Sequence, residues 1–191
     1  SKMASLTEKS TALFTQLSEF EQKIGRLAQA MQIRLDDYHI DHLALRTHHV
    51  EMAQRWLAAL STRGRILSEN KINGRPIYLI ELQKPIVFGG QAVSVIELPF
   101  PKDKIYPQEG WEHIEIVMPL SANESALAWR ERIMTQFLWN KQPHLAVKSS
   151  ETKAVGERLP NPTIAVTLAD QTENHVCIKV HPYPIKRIVG G

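Results

Sequence analysis

Cysteine is nearly absent from this sequence of 191 residues, in which Cys177 is the only one. An internal disulfide is therefore impossible, and the chain lacks the cysteine framework of small secreted domains. No apolar run approaches the length that spans a bilayer, and no apolar segment follows Lys2 and Lys9 at the amino end. We therefore predict a cytoplasmic protein without a membrane segment or a secretory signal.

The chain also has little net charge. It contains 23 Lys and Arg residues and 20 Asp and Glu residues, which gives a formal net charge of +3. Acidic residues are interspersed along the chain, so no basic surface that follows a phosphate backbone is expected. The four tryptophans are spread out rather than grouped into a platform on which bases stack. The sequence therefore predicts no nucleic-acid partner.

The amino-terminal part has helical periodicity. In residues 5–35, apolar residues recur three or four positions apart, with no proline and one glycine. Ser5 and Ser18 are each followed by glutamate at the third position, which matches the capping box at a helix start. We predict a helical segment over residues 1–36 that consists of two helices, with the break at Ser18.

Beyond residue 37 the pattern changes to short runs separated by glycine and proline, in which one order of elements occurs twice. The order is strand, helix, strand, strand, strand, and it predicts two βαβββ modules at about residues 38–101 and 110–184. The first module has strands at 40–47, 65–71, 76–82 and 93–98 and a helix at 50–61; the second has strands at 112–118, 145–148, 163–168 and 176–181 and a helix at 123–138.

Two proline turns support this repeat. Pro99-Phe100-Pro101 follows the last strand of the first module, and Pro182-Tyr183-Pro184 follows the last strand of the second. Proline ends a strand because it cannot donate to the hydrogen-bond ladder. The predicted fold is α+β, with tandem βαβββ modules forming a cavity-enclosing mixed sheet in a single domain of residues 37–191.

Alternation along the strands places several polar side chains on the face away from the helices. In the first strand of module one, His42 and Arg46 lie on the side opposite Leu43 and Leu45. The corresponding side of the first strand of module two carries His113 and Glu115; Glu97 ends one last strand, and the other last strand presents Cys177, Lys179 and His181.

Two histidines at equivalent strand starts and a glutamate at a strand end converge on one point if the two halves close face to face. Imidazole nitrogens and carboxylate oxygens suit zinc, iron, nickel or manganese. The sequence therefore predicts a divalent-metal site of His42, Glu97 and His113. The alternative for Glu97 is an ion pair with Arg46 or Lys179 in a wet cavity.

Two further residues on this face are candidates for chemistry. The guanidinium of Arg46 can bind a carboxylate or phosphate of a substrate through two hydrogen bonds. Glu115 is the best placed acid or base among several glutamates near the same cavity. We therefore predict Arg46 and Lys179 as substrate-binding residues and Glu115 as a catalytic residue.

Six segments between Tyr38 and His181 together resemble the bacterial YecM-type proteins. They are 41–46 (DHLALR), 67–76 (LSENKINGRP), 95–99 (VIELP), 110–117 (GWEHIEIV), 157–162 (ERLPNP) and 178–182 (IKVHP). The YecM-type group is itself similar to the vicinal oxygen chelate superfamily, which includes glyoxalase I, extradiol dioxygenases and bleomycin-resistance proteins. The resemblance implies two βαβββ modules paired around a cavity.

In the metal-dependent relatives the ligands sit on the first and last strands, which the resemblance carries over to His42, Glu97 and His113. Where a glyoxalase-like enzyme would have a second glutamate, strand parity offers Lys179 or His181, and we keep His181 as the candidate fourth ligand. Aligning the two proline turns instead puts Val180 opposite Glu97. A protonated lysine would not bind a metal and would hold an anionic ligand instead.

Three functions follow from this sequence. The first is a divalent-metal enzyme of the isomerase, lyase or dioxygenase type that acts on a small, oxygen-rich, anionic metabolite. The second is a metal-free protein that binds or sequesters a small molecule over a floor of Arg46, Glu97 and Lys179. The third is a protein-interaction module that uses the amino-terminal helices, which requires their apolar face to be exposed.

Overall fold

The computed structural model describes residues 13–72, 74–102, 106, 108–151 and 161–189. Its helices are α1 (Leu17–Ala30), α2 (Val50–Ser61), α3 (Ala126–Phe137) and α4 (Ile185–Ile188). Its strands are β1 (His39–Arg46), β2 (Gly64–Ile72), β3 (Arg75–Phe88), β4 (Gln91–Pro99), β5 (Gly110–Val117), β6 (Leu145–Glu151), β7 (Pro162–Leu168) and β8 (Cys177–His181). Helix α2 follows β1 and helix α3 follows β5, so the predicted order of elements is present twice.

The eight strands form one mixed sheet in the order β2-β3-β4-β1-β5-β8-β7-β6. At its centre β1 and β5 pair antiparallel, and each of them pairs in parallel with the last strand of its own module, β4 or β8. The order on one side of the β1–β5 junction therefore mirrors the order on the other. This confirms the α+β class and the tandem of βαβββ modules.

The strand register shows which residues of the two modules correspond. If His113 is the counterpart of His42, the partners along the parallel pairs make Lys179 the counterpart of Glu97. Neither Val180 nor His181 has that position. The partners are Leu43 with Ile96 and Ala44 with Glu97 in the first module, and Ile114 with Ile178 and Glu115 with Lys179 in the second.

Helices α1, α2 and α3 pack into one apolar core with the central strands. The residues they bury are Phe20, Ile24, Leu27 and Ala28 from α1, Ala53, Trp56 and Leu60 from α2, and Trp129 and Ile133 from α3. Two indole nitrogens join the layers, since Trp111 donates to Leu13 O and Trp129 donates to Met118 O, each over 2.7 Å. The helical spacing of the apolar residues thus forms the contact with the sheet.

The start of α1 differs from the sequence prediction. Residues 13–15 are helical, Gln16 forms a turn and the helix begins at Leu17, so a break between two helices lies two residues before the predicted one. Gln16 is the N-cap without a side-chain capping bond, so the predicted capping box at Ser18 is wrong. Leu17 packs against the core, and this tertiary contact extends the helix past the local signal. The other predicted helix start, at Ser5, lies outside the described residues.

Strand β3 is longer than predicted, because it continues from Leu82 to Phe88. A register shift between Glu81 and Ile86 allows pairing with β4 to resume beyond Pro85. The strand then turns at Gly89 and Gly90, which have φ angles of 57° and 75°.

A second, smaller apolar cluster lies apart from the main core. It joins Leu79 of β3 and Val95 of β4 to Ile185 and Ile188 of the carboxyl-terminal helix α4. Because β3 and β4 reach the main core with their other residues, α4 covers the opposite face of the sheet.

The predicted division of the chain into residues 1–36 and 37–191 stays a prediction. The described part of the amino-terminal segment shares its apolar core with strands of both modules. Within the described ranges, no helix is long and apolar enough to cross a membrane.

Two glycine substitutions are expected to change stability in opposite directions. A Cβ at Gly64 would lie 2.0 Å from the Glu81 carbonyl oxygen, so Gly64→Ala forces the β2 and β3 backbones apart. We expect a loss of about 3 kcal/mol in the free energy of unfolding. Gly25 of α1 has no atom within 4 Å of the added Cβ, so Gly25→Ala is expected to add about 0.5–1 kcal/mol. Urea unfolding of both variants checks this, and equal stabilities would contradict it.

Candidate metal centre

Side chains from three adjacent strands meet at the centre of the sheet. Strand β1 contributes His42, β4 contributes Glu97, and β5 contributes His113 and Glu115. One nitrogen or oxygen atom from each of these four residues lies within 4.8 Å of the others, an arrangement able to hold a metal ion. The structure therefore brings together three of the four predicted ligands and the predicted catalytic glutamate.

The contacts within this group are short. His42 Nε2 lies 2.6 Å from Glu115 Oε2 and 3.7 Å from Glu97 Oε2. His113 Nε2 lies 3.3 Å from Glu97 Oε2 and 3.4 Å from Glu115 Oε2, without a hydrogen bond of good geometry. Both imidazoles thus point their Nε2 atoms at the same two carboxylates.

Each histidine is oriented by the acid that precedes it in the chain. His42 Nδ1 donates to Asp41 Oδ2 over 2.8 Å, and His113 Nδ1 donates to Glu112 Oε1 over 3.0 Å. Asp41 also accepts the backbone N–H of Ile185, and Glu112 accepts two bonds from Arg46. A carboxylate on Nδ1 leaves Nε2 free to act as a ligand, as in the outer shell of metal-bound histidines.

This arrangement requires a cation at the centre. In a neutral His42 whose Nδ1–H is given to Asp41, Nε2 carries a lone pair that faces the Glu115 carboxylate at 2.6 Å. Two lone pairs at that distance repel each other unless a proton or a metal ion lies between them. The residues therefore fit a divalent ion with mixed nitrogen and oxygen ligands.

The pKa shifts show how the charges of the metal-free group balance one another. Burial alone would lower the pKa of His42, but the carboxylates of Glu115, Asp41 and Glu97 raise that pKa well above its usual value. Burial and the Lys179 ammonium would likewise lower the pKa of His113, but Glu112, Glu115 and Glu97 raise it to about 9. At neutral pH both imidazoles are then cationic.

The two carboxylates shift in the opposite direction. Burial would raise the pKa of Glu97, but His113 and His42 hold that pKa far below its usual value. Burial would also raise the pKa of Glu115, and His42 together with His113 lowers it. Two imidazolium ions thus neutralise two carboxylates, which is the charge that one divalent ion would supply to the same group with neutral imidazoles.

A cavity of about 400 Å³ lies beside this group. Its wall includes Ser68 of β2 and Lys148 of β6, the two edge strands, so the sheet curves around the space. Glu97 and Glu115 reach the cavity, whereas His42 and His113 are fully buried behind it. The prediction that the mixed sheet encloses a cavity is therefore confirmed.

The two predicted substrate-binding residues both line this cavity. Arg46 bonds to Glu112 through Nε and Nη2, at 2.7 and 2.8 Å, while its Nη1 is buried without a hydrogen-bond partner. Lys179 neighbours Glu115 across β5 and β8, and it has no hydrogen bond or ion pair of 4 Å or less with the described residues. The expected alternative, an ion pair of Glu97 with Arg46 or Lys179, is therefore absent from the described part.

His181 lies beside the group rather than within it. It is fully buried, and its Nε2 is 3.8 Å from Asp41 Oδ2 and 3.9 Å from Glu115 Oε1, and neither ring nitrogen has a hydrogen bond to a described residue. The reason is the register, because His181 pairs with Val117 at the end of β5, beyond the level of His113.

Sequence reasoning did not single out Asp41, Glu112, Arg75 or Lys102. A signal for the first two was present, since an acid immediately precedes each of the two equivalent histidines. Arg75 lies in the segment 67–76 and Lys102 directly follows the turn Pro99-Phe100-Pro101, and neither position indicated a cavity.

Comparison with known proteins gives one family and several relatives. The family model described as YecM protein matches residues 9–190. A Haemophilus influenzae protein, described as uncharacterized, is 56% identical over 185 residues, which is 97% of this chain and 96% of that protein. Protein YecM of Escherichia coli is 39% identical over 180 residues, which is 92% of this chain and 89% of that protein.

A solved structure also matches over most of the chain. It is a structural-genomics protein, EC4020, with a TM-score of 0.77 and 36% sequence identity, and the match covers 94% of this chain and 91% of that chain.

Proposed function

The chain belongs to the YecM family, and we propose that it is a divalent-metal protein whose ion is held by His42, Glu97, His113 and Glu115. Zinc, iron, manganese and nickel all suit two imidazole nitrogens and two carboxylate oxygens. His181, the other predicted ligand, is not part of this proposal because its ring lies outside the group. The cytoplasmic location stays a prediction.

One observation carries the proposal. Four donors from strands far apart in the chain meet within 4.8 Å, and both histidines are turned toward that centre by a carboxylate on the other ring nitrogen. A structural ion pair needs neither the second histidine nor the duplicated acid–histidine pairs. Both features are typical of a metal site, in which an acceptor on one ring nitrogen holds the other nitrogen of each imidazole toward the ion.

We further propose that the cavity receives a small, oxygen-rich, anionic metabolite and that the chain is an enzyme of the isomerase, lyase or dioxygenase type, with a vicinal oxygen chelate fold. A bound divalent ion would act as a Lewis acid that polarises C–O bonds of this ligand. Lys179 and Arg46 line the cavity, and neither the Lys179 ammonium nor Arg46 Nη1 has a hydrogen-bond partner among the described residues, so both can bind an anionic oxygen. Glu115, also predicted as catalytic, touches the same centre as a ligand.

The alternative is a metal-free protein that binds a small molecule. It requires a floor in which Glu97 pairs with Arg46 or Lys179, but Glu97 contacts the two histidines instead. An interaction module based on the amino-terminal helices is also less favoured, because α1 buries its apolar face in the core.

Proton release on metal binding tests the proposal. At pH 7 the metal-free imidazoles of His42 and His113 are protonated, so one ion must displace about two protons. Chelator-treated protein is titrated with Zn²⁺ or Mn²⁺ by calorimetry in buffers of different ionisation enthalpy. We expect one ion per chain with about two protons released. Binding without proton release, or no saturable binding, would overturn the assignment.

A further inference from the structure

The end of the cavity beside Arg46 is strongly cationic. Five cationic side chains and two carboxylates line the described wall of the cavity, and both carboxylates belong to the proposed metal group. The cations are Arg46, Arg75, Lys102, Lys148 and Lys179. With the charge of the metal group balanced internally, the rest of the wall has an excess of positive charge.

Three of these cations come together from separate segments. Arg46 ends β1, Arg75 begins β3, and Lys102 follows β4, whose end is joined to β1 by the bond from Thr47 Oγ1 to Pro99 O. Arg75 Nη1 donates to Phe100 O, which keeps the guanidinium beside the same chain end. The strand order thus gathers the three side chains at one end of the cavity.

Neither Arg75 nor Lys102 has a carboxylate within 4 Å among the described residues. Arg75 also has a buried Nε without a hydrogen-bond partner. Arg65 and Arg132 differ from Arg75 because each donates to a glutamate, Glu81 and Glu124 respectively. The partly buried Arg75 guanidinium therefore has one buried donor, Nε, without a partner among the described residues.

The cations act on each other at this end. Burial and then the charge of Arg46 lower the pKa of Arg75, and burial and then the charge of Arg75 lower the pKa of Lys102. Like charges held together in a cleft destabilise the folded chain unless an anion compensates them. Glu112 compensates Arg46, but no carboxylate among the described residues lies within 4 Å of Arg75 or Lys102, and an anionic ligand would supply that charge.

We propose that Arg46, Arg75 and Lys102 form a second ligand subsite that binds the phosphoryl group of a small phosphorylated metabolite. This inference rests on the proposed function, since the metal end of the same cavity would take the oxygen-bearing group at the other end of that ligand. A phosphate monoester presents three terminal oxygens and nearly two negative charges, which matches donors that approach from three segments. A carboxylate has only two oxygens in one plane.

Phosphate binding to the metal-free protein tests the subsite by itself. Chelator-treated chain is titrated with inorganic phosphate and with acetate, and we expect phosphate to bind at least about tenfold more tightly. Arg75→Gln and Lys102→Gln should each weaken phosphate binding about tenfold or more, because a charged hydrogen bond is lost. Arg65→Gln, an exposed arginine of β2 outside the cavity, is the matched control and should bind like wild type.

Because Lys102 is exposed, Lys102→Gln is expected to fold like wild type. Thermal unfolding of all three variants checks that they are folded. Equal phosphate affinity in wild type and both cavity variants would overturn the subsite, and acetate binding as tight as phosphate would overturn the phosphoryl assignment. Phosphoglycolate and glycolate are then compared on metal-loaded protein. If metal does not change the affinity for phosphoglycolate but Arg75→Gln still lowers it, the metal proposal is rejected and the subsite is retained.

Discussion

Chains that carry both His42→Ala and His113→Ala will bind a divalent metal at least about 100-fold more weakly than wild type. Loss of an outer-shell partner alone costs roughly 10–100-fold in metal affinity, and these two changes remove two of the four proposed ligands. Elemental analysis of protein purified without chelator gives the metal content, and calorimetric titration gives the affinity. Equal metal content in wild type and the double variant would remove the ligand assignment.

The matched control is a second double variant, His49→Ala with His144→Ala, which removes two exposed histidines. It should retain the metal, because neither residue belongs to the central group. The control therefore measures adventitious binding to surface imidazoles. His181→Asn tests the boundary of the group and should also retain the metal. If it loses as much metal as the double variant does, His181 is a ligand and the four-residue group is wrong.

Folding could mask the result, since His42 and His113 are buried in a charged network. Glu97→Gln removes a ligand that reaches the cavity and keeps the side-chain volume, so it disturbs the fold less. It should weaken metal binding while circular dichroism stays unchanged. Unaltered affinity in this folded variant would count against Glu97 as a ligand.

The metal-free protein will lose about 3 kcal/mol of stability, through His113 alone, when the pH rises from 6.5 to above 9. The folded-state pKa of His113 is raised from 6.5 to about 9, so its contribution is complete below pH 6.5 and is lost as the pH passes about 9. The pKa of His42 is also raised, so its contribution to stability is likewise lost as the pH rises. Glu97 and Glu115, whose pKa values are lowered, contribute above about pH 4.5 and lose that contribution as the pH falls.

Saturating metal should remove most of this alkaline loss, because the ion takes the place of the imidazole protons. Urea unfolding at pH 6.5 and above 9, with and without metal, measures the change in the free energy of unfolding. His113→Gln, in which the titrating group is gone, should have a smaller alkaline loss without metal. The same loss in this variant and in wild type would show that His113 is not its source.

Much of the fold follows from short-range patterns in the sequence. The helix over residues 50–61 has the bounds that its apolar spacing predicts, and every predicted strand is present with ends shifted by a few residues. Alternation placed His42 and Arg46 on one side of their strand and His113 and Glu115 on one side of theirs. These features depend on neighbours one to four residues apart, which a sequence shows directly.

Errors occurred where distant contacts overrode local signals. The capping box at Ser18 was overridden because Leu17 packs into the core and begins the helix earlier. Strand β3 continued beyond Leu82 because a register shift let its pairing with β4 resume after Pro85. In both cases the deciding contact is made with a segment that periodicity does not identify.

The sequence by itself determined the duplicated order of elements and which side chains share a face, because both depend on spacing along one strand or helix. Only the tertiary structure decided that Lys179 is the counterpart of Glu97, that Glu115 joins the central group and that His181 does not. It also showed that Arg46 pairs with Glu112 and that Arg75 and Lys102 meet in one cavity. Most of these facts depend on the register between strands more than fifty residues apart in the chain, and register is set by the packing of the whole sheet.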